Sequence, residues 1–154
     1  MKFGVSSYSF SKYIRSTGCD YIAVCDKAKE MGYDGIEFIN LDLASFGITT
    51  DPIACAKEIR EHCKSIGLEI IAYAVDGNLT TPADKEAEVE RLMRCVDVCA
   101  ELGAKVMRHD VCSSFPKVAN YNWQDAINDM VPLIRRVTEY AESKGIRTCL
   151  ENHG

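Results

Sequence analysis

The sequence predicts an α/β fold, a partial (β/α)8 barrel of five parallel strands and four helices, on three observations. Four helix-spaced apolar patterns each end at a glycine followed at once by a short apolar run. Those glycines, Gly32, Gly67, Gly103 and Gly145, recur at intervals of about 35 to 42 residues, the length of one strand-helix unit. Polar and ionisable residues then stand at the end of every strand after the first. An open doubly wound sheet would gather them at one switch point, whereas a barrel rings its site with strand ends.

The first strand reads as Lys2–Tyr8. It leads into Ser9-Phe10-Ser11-Lys12-Tyr13, which is neither the glycine-rich nor the acidic loop usual in flavodoxin-like sheets. Tyr21, Val24, Cys25, Ala28 and Met31 form the apolar stripe of the first helix, and Tyr33–Ile39 the second strand. Asp51 as N-cap and Pro52 at the first helical position open the second helix, with Ile59, Cys63 and Ile66 as its stripe. Leu68–Val75 is the third strand. Val89, Leu92, Val96 and Cys99 mark the third helix, and Ala104–Asp110 the fourth strand. The fourth helix starts near Asn122 and carries Ala126, Met130, Leu133, Val137 and Ala141; Pro132 inside it predicts a kink or a displaced start. Ile146–Glu151 is the fifth strand. A glycine directly after each helix predicts a left-handed cap. Strands alternating with helices on short connections demand parallel pairing with right-handed crossovers.

No linker or low-complexity segment interrupts the series, so residues 1–154 read as one domain, an incomplete N-terminal portion of a barrel. The chain is 47% hydrophobic and 27% charged, with a formal net charge of −5. That charge, with Lys and Arg scattered over helix surfaces, argues against nucleic acid and anionic lipid as partners. No signal peptide or bilayer-spanning run is present, and the eight cysteines sit mostly in helical patterns. Reduced thiols in a cytoplasmic protein are the expectation. Cys95 and Cys99, four apart, lie on or beside an apolar stripe and read as packing rather than as a metal pair.

The strand ends supply Glu37 and Asn40, then Asp76, then His109 and Asp110, then Glu151, Asn152 and His153. Asp76 and Asp110 have an ordinary reading as caps of the following helices, and His62 reads as a surface residue. Glu37 and Glu151 stand inside apolar strands whose neighbouring residues should face the helices. Alternation then turns each carboxylate to the barrel interior, where an unpaired charge costs several kcal/mol and a metal or hydroxylated ligand would offset that cost. His109 and His153 are expected within reach of the same mouth.

Gly4-Val5-Ser6-Ser7-Tyr8, Gly35-Ile36-Glu37-Phe38, Met107-Arg108-His109-Asp110 and above all Leu150-Glu151-Asn152-His153-Gly154 resemble the xylose-isomerase-like TIM barrels. That superfamily includes sugar and sugar-phosphate isomerases, ketose 3-epimerases and endonuclease IV-type repair enzymes. The resemblance implies a metal-dependent sugar or sugar-phosphate isomerase or epimerase. Glu151 would be catalytic and a ligand of a divalent metal (Mn²⁺, Mg²⁺, Co²⁺ or Zn²⁺), with Glu37, His109 and His153 contacting substrate. The metal would acidify a C–H bond next to a carbonyl, and a carboxylate would take the proton. The family's ligands from later strands have no counterpart here, and five strands cannot close an eight-strand register. Two alternatives to a complete enzyme follow: an inactive fragment, or a subunit that completes its barrel with another chain through open edges. An endonuclease IV-like nuclease would need further His on strand three, which has none.

Overall fold

Four of the five helices among the described residues start where an Asp or Asn caps them. The computed structural model describes residues 1–41, 51–81, 84–112 and 122–151. Strand β1 is Gly4–Ser6; a 3-10 turn, Ser7–Phe10, leads into helix α1, Ser11–Thr17. Then come α2 (Tyr21–Glu30), β2 (Gly35–Ile39), α3 (Pro52–Ile66), β3 (Glu69–Val75), α4 (Lys85–Leu102), β4 (Val106–His109), α5 (Trp123–Ser143) and β5 (Arg147–Leu150). Asp20, Asp51, Asp84 and Asn122 each accept backbone N–H groups at the start of α2, α3, α4 and α5. Gly32, Gly67, Gly103 and Gly145 all take positive φ after their helices, as the sequence predicts.

The 3-10 turn and α1 replace the loop expected over Ser9–Tyr13, so the described residues contain five helices rather than four. Ser6 opens the turn by accepting the Tyr8 N–H, and Gly18, at φ 68°, closes α1. The strands are shorter than the apolar runs suggest; β1 keeps three residues of seven, and β5 ends before Glu151.

One parallel sheet runs in the order β1-β2-β3-β4-β5, as sequential right-handed crossovers require. Helices cover one face. Ile36, Phe38, Tyr73, Val75 and Met107 are at most 1% exposed there, against Val24, Ile59, Leu92, Val96 and Val137. Each large apolar side chain so buried contributes about 1.5–3 kcal/mol. The other face holds a register shift: between Ile36 and Glu37 the pairing skips one residue of β3. The extra residue, Ile71, lies over Gly4 and Gly35; a Cβ at either glycine would meet its side chain at 2.7 and 2.8 Å. Those two positions are glycine because Ile71 fills the space.

Candidate functional site

Strand register fixes which side chains share the face without helices. Glu37 pairs with Ser6 and Ala72, while its neighbours Ile36 and Phe38 are fully buried on the helix side. Ala74, two residues on from Ala72, pairs with Arg108, and Arg108 pairs with Cys149. By alternation Glu37, Arg108, Cys149 and Glu151 therefore stand on one face, at or near the C-terminal ends of their strands.

Arg108 is the centre of this group. Its Nη1 lies 2.8 Å from Asp110 Oδ1 and its Nε 3.0 Å from Glu151 Oε2. The Arg108 and Asp110 side chains are mostly shielded, at 25% and 15% exposure, and that of Glu151 is half open at 49%. A guanidinium between two carboxylates fixes both by charge-assisted hydrogen bonds. In the sequence Arg108 stands only within the Met107-Arg108-His109-Asp110 motif, with no role of its own. The signal was available: it is a charged residue inside an apolar strand, the same feature that singled out Glu37 and Glu151.

His109 does not join that group. It pairs with Val75 and Leu150, and it shares the helix-facing parity of Met107 and Tyr73. The ring is fully buried; Nδ1 lies 3.0 Å from the Asp110 carbonyl oxygen, and Nε2 has no hydrogen-bond partner among the described residues. Burial lowers its pKa below the usual histidine value, with the Asp110 carbonyl and carboxylate opposing and Arg108 and Arg91 adding to the fall. The expectation that His109 reaches the mouth is thus corrected: one residue of parity turns its ring to the helix layer.

Two other strand-end groups have structural work. Asn40, 1% exposed at φ 47°, donates its N–H to Ala74 O and accepts the Asp76 N–H on Oδ1, joining the ends of β2 and β3. Left-handed backbone suits Asn among non-glycine residues. The Asp76 carbonyl accepts from Arg91 of α4, which Glu88 also holds; Glu88 in turn accepts the Asn78 N–H. Asp76 leaves its own side chain exposed. His62, half-buried on α3, lies 2.6 Å from Asp26 of α2. His153 and Asn152 lie outside the described residues.

The arrangement offers one half-open carboxylate, Glu151, braced by Arg108, and a second, Glu37, on the same face. Among the described residues no three His, Cys, Asp or Glu side chains gather as metal donors. One carboxylate already paired with a guanidinium does not make a divalent-metal centre, which needs three or four donors. These residues therefore do not by themselves fit the metal that the resemblance implies. No helix among them is long and apolar enough to cross a membrane.

Residues 25–154 match the family described as xylose isomerase-like TIM barrel. A ketose 3-epimerase from Arthrobacter globiformis is 30% identical over 98% of this chain, which spans 50% of that protein. A solved D-psicose 3-epimerase, crystallised in the presence of D-fructose, superposes with a TM-score of 0.71 at 19% identity, over 99% of this chain and 55% of its own. The IolI protein, solved with a binding zinc atom, has a TM-score of 0.71 at 14% identity, over 97% and 51%. The chain thus spans about half the length of the relatives it matches.

Proposed function

Because the chain belongs to the xylose isomerase-like TIM barrel family, we propose that it forms the N-terminal part of a sugar isomerase or epimerase that moves a proton on the carbon next to a carbonyl. The observation that carries this reading is the Glu151 carboxylate at the end of β5, on the helix-free face and held by Arg108. A carboxylate so placed accepts the proton of a C–H bond made acidic by the neighbouring carbonyl. The electron pair passes to the carbonyl oxygen to give an enediol(ate). Return of a proton to the same carbon from the opposite face gives the epimer, and return to the former carbonyl carbon gives the isomer. Epimerisation needs a second acid-base group opposite Glu151, whereas isomerisation can return the proton on the face from which it was taken. Glu37, three strands away, is suited to bind a substrate hydroxyl.

If a divalent metal were bound, Glu151 would be one of its ligands and the metal would supply polarisation of the substrate oxygen; two or three further donors would be needed. The likeness to a ketose 3-epimerase favours a ketose as substrate, and the free cysteines favour a reducing compartment such as the cytoplasm. The test is hydrogen exchange in D₂O, followed by NMR, with ketohexoses and their phosphates supplied to the full-length protein, alongside metal analysis. Deuterium should enter next to the carbonyl, and Glu151→Gln should slow entry by about 10²- to 10⁴-fold. Exchange at the wild-type rate in Glu151→Gln would remove Glu151 from the mechanism.

A further inference from the structure

We propose that Cys25 and Cys63 are a covalent modification site, a reversible disulfide that staples α2 to α3. Cys25 on α2 is 0% exposed and Cys63 on α3 is 1% exposed, and their Sγ atoms lie 3.5 Å apart. A disulfide closes at about 2.05 Å, so each sulfur has only about 0.7 Å to travel. The adjacent residues make a second contact at the same helix crossing: His62 Nε2 lies 2.6 Å from Asp26 Oδ1. The outer pair thus holds the two helices in the register that brings the thiols together.

Access comes from below the sheet. Cys63 forms part of the wall of a groove of about 570 Å³, with Arg60, Lys64, Leu68, Leu102 and Lys105. The groove exists because β3 and β4 pair only over Tyr73–Val75, leaving the Glu69–Ile71 end of β3 splayed from its neighbour. Hydrogen peroxide, little larger than water, fits such a groove. The hydrogen bond between the thiols divides their roles. It lowers the Cys63 pKa against the opposing effect of burial, whereas the same bond and burial together raise that of Cys25.

The chemistry balances with a hydroperoxide as oxidant. The Cys63 thiolate attacks one oxygen of hydrogen peroxide; the O–O bond breaks, and hydroxide leaves as water with the thiol proton. The Cys25 sulfur then attacks the Cys63 sulfenic acid; the S–O bond breaks, the S–S bond forms, and a second water leaves. Two thiols lose two electrons, and one peroxide becomes two waters. A thiol reductant reverses the bond by exchange. The site is independent of the proposed sugar chemistry, because neither cysteine lies on the helix-free face.

The test uses the whole chain, carrying Cys149→Ser to remove the exposed thiol, treated with hydrogen peroxide and quenched by alkylation in denaturant. The expected result is a monomer lighter by two hydrogens, with a peptide map joining Cys25 to Cys63. Its unfolding equilibrium in urea should shift toward the native state by about 10²- to 10³-fold, and dithiothreitol should return it. Cys25→Ala and Cys63→Ala should each abolish the loss of two hydrogens. A bond mapped to any other pair would overturn the proposal. So would Cys25 and Cys63 remaining alkylatable after the other thiols are oxidised, a result read from the wild-type map even if a variant fails to fold.

Discussion

Gly77 is held against the end of β4. A Cβ placed there would stand 2.1 Å from the carbonyl oxygen of Asp110 and 3.0 Å from its carbonyl carbon. Both are backbone atoms, so no rotamer change relieves the overlap, and the loop after β3 would have to lift away from β4. Gly77→Ala is expected to destabilise the protein by about 2–3 kcal/mol, read as a lower urea midpoint at unchanged m-value. An unchanged midpoint would show that this loop is free to move. His109 is expected to make the protein sensitive to acid. Its folded pKa lies below the 6.5 of an exposed ring, so between those two values the unfolded chain binds the extra proton. Stability is therefore present above about pH 6.5 and is lost as pH falls toward the folded value. Urea midpoints between about pH 7.5 and 5 should fall in the wild type and flatten in His109→Leu; equal slopes would place the titration elsewhere. At this scale the sequence was readable where alternation could be counted. Glu37, between the buried Ile36 and Phe38, takes the expected face. Standing at a strand end does not make a residue face the mouth, and His109 takes the helix-facing parity of Met107. Arg108, one residue earlier, holds that position, and its partners Asp110 and Glu151 become visible only when β4 and β5 are side by side.

The longest element, α5, carries a proline midway along it. Asn122 and Asp125 close a reciprocal capping box at its start, and the helix runs through Pro132 to Ser143. Pro132 has no N–H to donate to the Asn128 carbonyl, and its ring crowds that turn. The position is exposed, so nothing in the core requires the ring. Pro132→Ala is expected to stabilise the protein by about 1–3 kcal/mol, seen in thermal or urea unfolding. A loss of stability would show instead that the proline sets a bend on which the packing of Met130 and Val137 depends. Apolar stripes made α2 to α5 legible, with Asp51 and Asn122 marking the starts of α3 and α5; Asp20 and Asp84 cap the other two in the same way. Helix α1 escaped because it has one partly buried apolar anchor, Ile14, and buries no residue fully. Its available signal was Gly18, a left-handed cap of the kind used at the other four glycines.

For the molecule as a whole, strand order followed from short connections, whereas closure depends on surfaces this chain does not bury. β1 and β5 are both sheet edges, each with one row of backbone donors and acceptors unpaired within the sheet. Ile71 on the helix-free face and Leu150 on β5 are 43% and 52% exposed, and Ile127 and Val131 of α5 are 44% and 45% exposed. The relatives it matches are about twice as long, and the remainder of such a barrel would cover surfaces of this kind. Donor counting leads to the same expectation. Tight binding of Mn²⁺ or Zn²⁺ needs three or four ligands in fixed geometry, and the described residues bring no three together. Glu151 also shares its Oε2 with Arg108, which competes with a cation for that oxygen. Proton return on the second face of a substrate carbon needs an acid-base group opposite Glu151, which the described residues do not place. The 154-residue chain on its own is therefore expected to show no isomerase or epimerase turnover and no saturable Mn²⁺ binding below about millimolar concentration in titration calorimetry. Stoichiometric micromolar binding by the monomer would show that the C-terminal residues past Glu151 complete a site. Turnover that appears only in a dimer and disappears with Glu151→Gln would show that two chains assemble one enzyme across these open edges.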